Sequence, residues 1–290
     1  MPLTVNTNVA SLSAQRSMLN TNNALQTSFE RLASGKRINS ASDDAAGLAV
    51  SQSLTSAING VNQAMRNAND GISAAQIAEG ALSEVSDILQ RMRELAVQAN
   101  TSFLSGTEKG YLQAEQVSLE SALTDVATAA KFSGTSLFAA STFTFQTGSS
   151  ATETSSFTSK AVAASGITDG NGNSVNLTQI DLTATNAAAT ASNADVSGGA
   201  QAAIEALDDV IAGVSDLRAD FGAAIAEFES QVRNLANIGE NTAAARSRIM
   251  DTDYAAETAN LTKNQILQQA STSILAQANQ QPQAVMALLQ

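Results

Sequence analysis

"LTSAINGVNQAMRNANDGISAA", residues 54–75, decides the architecture. Leu54, Ile58, Val61, Met65, Ala68, Ile72 and Ala75 recur there at alternating spacings of four and three. That alternation is a heptad seam, the mark of a helix that buries one narrow stripe against other helices. The stripe drifts and continues as Ala81, Val85, Ile88, Met92, Leu95 and Ala99. One helix over residues 45–100 follows, about 80 Å long at 1.5 Å per residue. Gly60, Gly71 and Gly80 weaken it locally without stopping it.

Two more helices follow from the same pattern. Residues 109–130 carry the rows Leu112, Leu119, Val126 and Gln116, Leu123, Ala130. The intervening "NTSFLSGTEKG" is a turn, so the first two helices form an antiparallel hairpin. Residues 199–248 carry Leu207, Ile211, Val214, Arg218, Phe221, Ile225, Phe228, Val232 and Leu235. Arg218 interrupts that stripe, and its stem can lie along the apolar face with its head in water. The three stripes need one another, because each helix is too polar on its other side to be buried alone. Pro2 and Pro282 are the only prolines, so the interior lacks the strongest helix breaker.

Residues 141–198 change character to Ser, Thr, Ala, Asn and Gly, with almost no charge. "STFTFQTG" and "SSFTS" alternate, and "TDGNGNS" is a turn signal. A short β-hairpin followed by an irregular surface segment is expected. At the ends, Val5, Val9, Leu12 and Leu19 start a stripe that drifts to Leu25, Phe29 and Leu32; Leu267, Ala270, Ile274, Val285 and Leu288 form another. Each resembles half of a two-helix coiled coil. Both are so rich in Asn, Gln, Ser and Thr that a lone helix is marginal in water. The termini are expected to be disordered in a monomer and ordered against partners.

The fold class is therefore mainly α: a long antiparallel helical bundle or coiled coil, a small β-hairpin and a short irregular variable region. The expected organisation is a terminal coiled coil (1–33 with 255–290), a connector (34–44), a helical core (45–140 with 199–254) and a variable segment (141–198).

Composition narrows the function. Aromatics are 4% of the 290 residues, with no Trp, which favours long, thin helical packing over a thick core. The net charge is −12 and no Lys/Arg stripe could follow a phosphate backbone, so nucleic acid is not an expected partner. No apolar run approaches the ~20 residues that span a bilayer, so no membrane insertion is expected. The start, "MPLTVNTNVASL", has no Sec-type signal pattern. Cys and His are both absent. That removes the thiolate nucleophile, the commonest general base and the commonest zinc ligands. No cofactor and no metal are expected.

Residues 31–50, "RLASGKRINSASDDAAGLAV", gather the groups of a phosphate loop but fail its spacing: Glu30 stands where a Gly is needed, and Arg37 where Ser or Thr is needed. The stretch reads instead as a joint. Gly35 suits a helix C-terminus, with Lys36 and Arg37 near its negative end. Ser42 suits an N-cap, with Asp43 and Asp44 in the first turn of the next helix. "DGNGNSVNLTQI", from Asp169, fails as a calcium loop, because Ser174 and Ile180 replace the required Gly and Glu. In "QRMRELAVQAN", residues 90–100, Met92, Leu95 and Ala99 should pack inward while Arg91, Glu94 and Gln98 face out.

Four stretches carry a family resemblance: "LTVNTNVASLSAQRSM", "RLASGKRINSASDDAAGLAVS", "NDGISAAQIAEGALSEVSDILQRMRELAVQAN" and "NQILQQASTSILAQANQQPQAVMALLQ". Together they resemble the terminal regions of bacterial flagellins, in the expected order. The short middle resembles a flagellin without large outer domains. The resemblance implies a structural subunit, not an enzyme, that polymerises with itself into an extracellular flagellar filament for motility. It implies paired termini lining the filament channel, and export, unfolded and without a cleaved signal peptide, through the flagellar type III apparatus. Its implied partners are an export chaperone, the filament cap, the hook–filament junction proteins and the Toll-like flagellin receptor of animal hosts. Arg91, Leu95, Gln98 and Glu115 are the implied receptor and inter-subunit contacts. Hook–filament junction proteins have similar termini; the full "RELAVQAN" and the "ANQQPQAVMALLQ" ending favour flagellin. A protease insert of the kind some flagellins carry needs H-E-x-x-H, and the chain has no His.

Overall fold

Residues 54–75 lie inside one uninterrupted helix, α2 (Ala45–Ala99). The computed structural model describes residues 7–164, 166–168, 174–183 and 199–288, without side chains from 281 onward. Around α2 the chain forms α1 (Val9–Ser34), α3 (Gly106–Ala129), β1 (Lys131–Phe132), β2 (Thr135–Ser136), β3 (Thr142–Gln146) and β4 (Thr154–Thr158). It continues with β5 (Ile167–Thr168), β6 (Ser174–Val175), a 3-10 turn at Leu177–Gln179, α4 (Ala200–Met250) and α5 (Tyr254–Leu288). The mainly helical class follows the heptads. Packing groups the chain into two units, residues 59–239 and residues 1–58 with 240–290. That division runs through α2 and α4, whereas the sequence pattern places its bounds at the connector and near residues 199 and 254.

In residues 59–239 the central buried line of α2 is Val61, Ala64, Ala68, Gly71, Ala75, Ala78, Leu82, Val85, Leu89, Met92, Ala96 and Ala99. Its spacing alternates between three and four throughout. The expected line shares six of these positions, but Met65, Ile72 and Ile88 are half-buried flanks. Ala and Gly make up most of this centre and let helices approach closely, with Leu82, Val85, Leu89 and Met92 filling it toward its C-terminal end. On α4 the buried line is Ala203, Leu207, Val210, Val214, Leu217, Phe221, Phe228 and Leu235, with Ile211, Ile225 and Val232 on its flank. Arg218 is not simply solvated: its Nη2 donates to Glu79 Oε1 at 3.0 Å.

The start of α3 is fixed by a capping box. Ser105 Oγ accepts from the Glu108 amide at 3.3 Å, and the Glu108 carboxylate accepts from the Ser105 amide at 2.8 Å. The backbone bond from Ser105 holds the Glu108 carboxyl below its ordinary range. The core-facing row of α3 includes Gln116, Glu120, Leu123 and Ala127.

Two small hairpins follow. Strands β1 and β2 pair across Ser133 (φ 50°) and Gly134 (φ 83°), two residues at positive φ as a tight I′ turn requires. The sequence pattern places this stretch in the helical core, and the only signal of a hairpin is the Ser-Gly between "KF" and "TS". The predicted hairpin is present as β3–β4, with Phe143 opposite Phe157 and Phe145 opposite Ser155. It sits on α4 through aromatic edges: Phe157 meets Phe221 at 5.3 Å and Phe145 meets Phe228 at 5.6 Å between ring centres.

The stretch after the hairpin corrects an expectation. Its composition predicts irregular surface, yet Val162, Ala164, Ile167, Leu177, Ile180 and Leu182 are buried in the core. Gln113 on α3 staples it from both ends of one carboxamide. Its Nε2 donates to the Ile180 carbonyl at 2.9 Å, and its Oε1 accepts from the Leu182 amide at 2.8 Å. Helices lined with Ala leave room that only side chains from elsewhere can fill, and this segment supplies them. Strands β5 and β6 pair antiparallel. Most of the "TDGNGNS" turn between them, and residues 184–198, lie outside the described residues.

Candidate assembly surfaces

In residues 1–58 with 240–290, α1 and α5 lie against each other. On α1 the central line withdrawn from solvent is Ser11, Ala14, Met18, Thr21, Leu25, Ser28 and Leu32. On α5 it is Glu257, Leu261, Asn264, Gln268, Ser271, Leu275 and Ala278. Each series is a heptad line, but a mostly small and polar one. Hydrogen bonds cross it: Asn8 Nδ2 to the Ala278 carbonyl at 2.7 Å, Ser11 Oγ to Asn279 Oδ1 at 2.8 Å, and Gln268 Nε2 to Asn22 Oδ1 at 2.8 Å. Arg31 lies 3.9 Å from the Glu257 carboxylate.

Most of the aliphatic residues expected to pair across the two helices do not. Val9 is 66% exposed and Leu19 62% exposed, and Leu12, Leu267 and Ile274 also face solvent. Phe29 and Ile266 join them outside. The expected α1 stripe splits: its drift to Leu25 and Leu32 falls on the true seam, whereas Val9, Leu12, Leu19 and Phe29 lie outside it. The pair is largely inside-out by the standard of a coiled coil: small and polar residues outnumber Met18, Leu25, Leu32, Leu261 and Leu275 between the helices, and many large apolar residues face outward. Val5 lies outside the described residues, as do the side chains of Val285 and Leu288.

The connector joins this pair to α2 and α4. Gly35 ends α1 in the left-handed conformation, φ 69°, as expected. Lys36 then bridges Asp251 in antiparallel pairing, and the Thr252 amide donates to the Gly35 carbonyl at 3.0 Å. Arg37 corrects the expectation that it serves α1. Its Nη2 donates to the Ile249 carbonyl at 2.8 Å, capping the C-terminus of α4. Ser42 is likewise not the cap of α2. Asp44 is, accepting from the Gly47 amide at 2.9 Å, while Ser42 meets the Ser40 hydroxyl at 2.7 Å. A carboxylate is the stronger acceptor, and Asp44 immediately precedes the first helical residue. Asp43 gathers the preceding turn, accepting from the Ser40 amide at 2.9 Å, the Asn39 amide at 3.1 Å and the Ser40 hydroxyl at 3.1 Å. The Ser40 and Asn39 amides, then that hydroxyl, keep its carboxyl below the ordinary range. Ile38 is buried among these turns. The groups that looked like a phosphate loop are thus spent on one another.

In residues 59–239, the segment around Arg91 divides as its periodicity predicts. Met92, Leu95 and Ala99 are buried; Arg91, Glu94 and Gln98 are exposed. Arg91 is tied down, with Nε and Nη2 donating to Glu115 Oε1 at 3.0 and 2.8 Å and Nη1 donating to Glu94 Oε2 at 2.9 Å. The bonds to Glu115, then to Glu94, raise the guanidinium above its ordinary value. Arg91, Gln98 and Glu115 therefore share an exposed α2–α3 surface. Leu95, 1% exposed, cannot touch a partner there, because its helical position points into the core; it supports that surface from beneath.

No metal-holding group of three or more acidic side chains occurs among the described residues. No helix among them is long and apolar enough to cross a membrane.

Comparison with known proteins fits the exposed terminal faces. The family model for the bacterial flagellin N-terminal helical region matches residues 5–142, and that for the C-terminal helical region matches residues 204–289. The flagellin of Halalkalibacterium halodurans is 40% identical over 285 residues, covering 98% of this chain and 99% of that one. Polar flagellin F of Vibrio parahaemolyticus is 36% identical over an alignment of 376 residues that covers all of both chains. Among solved structures, Bacillus cereus flagellin matches with a TM-score of 0.45 and 24% identity, over 62% of this chain and 94% of that one. The chain belongs to the bacterial flagellin family, the structural proteins that polymerise into the flagellar filament.

Proposed function

We propose that the chain is a filament subunit whose terminal helices polymerise through their outward apolar faces. The inside-out α1–α5 pair carries this reading, since Val9, Leu12, Leu19, Leu267 and Ile274 gain nothing from each other and lose water only against further copies. The polar seam makes the pair marginal alone, so its ordering is coupled to assembly. By family resemblance, the subunit leaves the cell unfolded through the flagellar export apparatus, attended by a chaperone, and adds beneath the cap beyond the junction proteins. Absence of Cys suits that passage, as no disulfide has to be undone. Electron microscopy of purified protein after precipitant seeding tests the reading: long filaments are expected, and short or no polymers would favour a junction protein.

The same resemblance makes the α2–α3 surface of Arg91, Gln98 and Glu115 a ligand for the animal Toll-like flagellin receptor. In a cell reporter assay, monomer should signal and Arg91→Ala should signal at least several-fold less. Because Arg91 also binds Glu115 on α3, circular dichroism must show the variant folded. A folded variant with undiminished signal removes Arg91 from the contact.

A further inference from the structure

The core of residues 59–239 contains a paired polar defect that filament assembly does not explain. Gln116 on α3 is 0% exposed, and neither its Nε2 nor its Oε1 has a hydrogen-bond partner. One helical turn on, Glu120 is 7% exposed, and its Oε1 is equally enclosed and unpartnered. Positions i and i+4 are neighbours on one helix face, so the carboxamide and the carboxyl lie side by side. Buried polar atoms without partners are rare in folded proteins, and each carries a desolvation cost. Leu123 and Ala127, the next residues on this inner face, are apolar and buried. An ordinary helical core would place an aliphatic residue at 116 and at 120.

We propose that Gln116 and Glu120 form a proton-operated latch that holds α3 onto the core. With its proton, the Glu120 carboxyl is a neutral donor that a rotamer change brings to Gln116 Oε1, satisfying two enclosed groups at once. When that proton leaves for water, the carboxylate keeps only acceptors. It must then either take the Gln116 amide hydrogens while its charge stays buried or draw water into the core. The remaining exposure of Glu120 is the route by which proton and water pass. The device belongs to the stability of this unit and does not rest on how the termini assemble.

Burial places the switch near neutrality. Burial pushes the Glu120 carboxyl up to about 7 from its ordinary value of 4.5. No charged neighbour contributes to that shift. Among the described residues of the unit, the cross-helix ion pairs are Arg91 with Glu115, Arg93 with Asp208 and Arg218 with Glu79, and none of them acts on it. The folded state therefore holds a proton that the unfolded chain releases near its ordinary value. Stability is fullest below pH 4.5, falls as pH rises towards 7, and levels off above that. Taken alone, this group lowers the folding equilibrium constant on the order of a hundredfold across that window.

Two measurements test the latch. In wild-type protein carrying ¹³C-carboxyl glutamate, one carboxyl should titrate near neutrality and be missing in Glu120→Gln. A Glu120 resonance titrating in the ordinary glutamate range would overturn the proposal without any variant having to fold. Urea unfolding between pH 5 and pH 8.5 should show the midpoint falling in wild type and much less in Glu120→Gln and Glu120→Leu. Hydrogen exchange in α3, corrected for intrinsic pH dependence, should quicken across the same range in wild type only. Equal pH slopes in wild type and Glu120→Gln would also overturn it.

Discussion

Leu19→Glu should abolish filament growth and leave the free subunit folded. In the single chain Leu19 is exposed, so a carboxylate there meets water and removes no intrachain packing. In the filament the outward face of α1 is where neighbouring copies are proposed to meet. Burying one Leu contributes about 2 kcal/mol, and an unpaired carboxylate at the same place costs several more. A penalty of ~4 kcal/mol per subunit raises the critical concentration roughly a thousandfold, at 1.4 kcal/mol per tenfold. Sedimentation after seeding gives that concentration, and thermal unfolding of the monomer supplies the control. Ile274→Glu should act in the same way from the other helix. Filaments from Leu19→Glu at the wild-type critical concentration would mean that the apolar face is not the assembly surface.

Ser28→Leu makes the contrasting case. Ser28 is buried in the α1–α5 seam, so a larger side chain there disturbs the pair before any neighbour arrives. A surface substitution blocks growth with the monomer intact, whereas a seam substitution acts on the single chain.

The seam also marks where the sequence could be read and where it could not. Heptad spacing places every long helix, because a period of 3.5 survives substitutions among apolar residues. Phase is harder to read. On α2 the true centre passes through Ala64, Gly71, Ala78 and Ala96, residues too small to register as a stripe beside Met65 and Ile72. On α1 the centre is Ser11, Thr21 and Ser28, and the eye is drawn instead to Val9, Leu12 and Leu19. In both helices several of the large apolar residues that stand out mark a flank or an outer face, while others, such as Leu82 and Leu25, mark the centre. A chain that must bury one side within itself and another against its copies carries two overlapping stripes, and hydrophobicity alone does not rank them. The connector was legible as a joint from residue type. Its individual bonds were not, since Arg37 serves a helix that starts 163 residues further along the chain. Glu120 carries no signal in the sequence, since a single carboxylate on a helix reads as a solvated one until its burial is known.

Phe228→Ala should be the most damaging single truncation in residues 59–239. Phe228 is 1% exposed and sits at a crossing of three elements. Its ring meets Phe145 of the β3–β4 hairpin edge-on, 86° between planes. On the other side it presses on α2 at Gly71, where a Cβ would come within 3.0 Å of its Cζ. Glycine at 71 is thus the counterpart of the ring, and the two helices close only because one supplies bulk where the other supplies none. Truncation removes the ring from a site that rigid helices cannot collapse to fill, a cost of about 3–5 kcal/mol. Against a typical total of about 5–15 kcal/mol, that is a large part of the stability of the unit. The hairpin should loosen first, because Phe145 loses its edge contact while Phe157 keeps Phe221. Urea unfolding followed by far-UV circular dichroism measures the loss, since there is no Trp and Tyr111 and Tyr254 are both exposed. The comparison belongs at pH 5, where Glu120 keeps its proton in the folded state and the α3 latch is closed in wild type and variant alike. Gly71→Val, which drives a branched side chain into the ring from the opposite face, should cost a similar amount. If Phe228→Ala loses less than 1 kcal/mol, helix–helix contacts among the alanines hold this unit without the aromatic crossing.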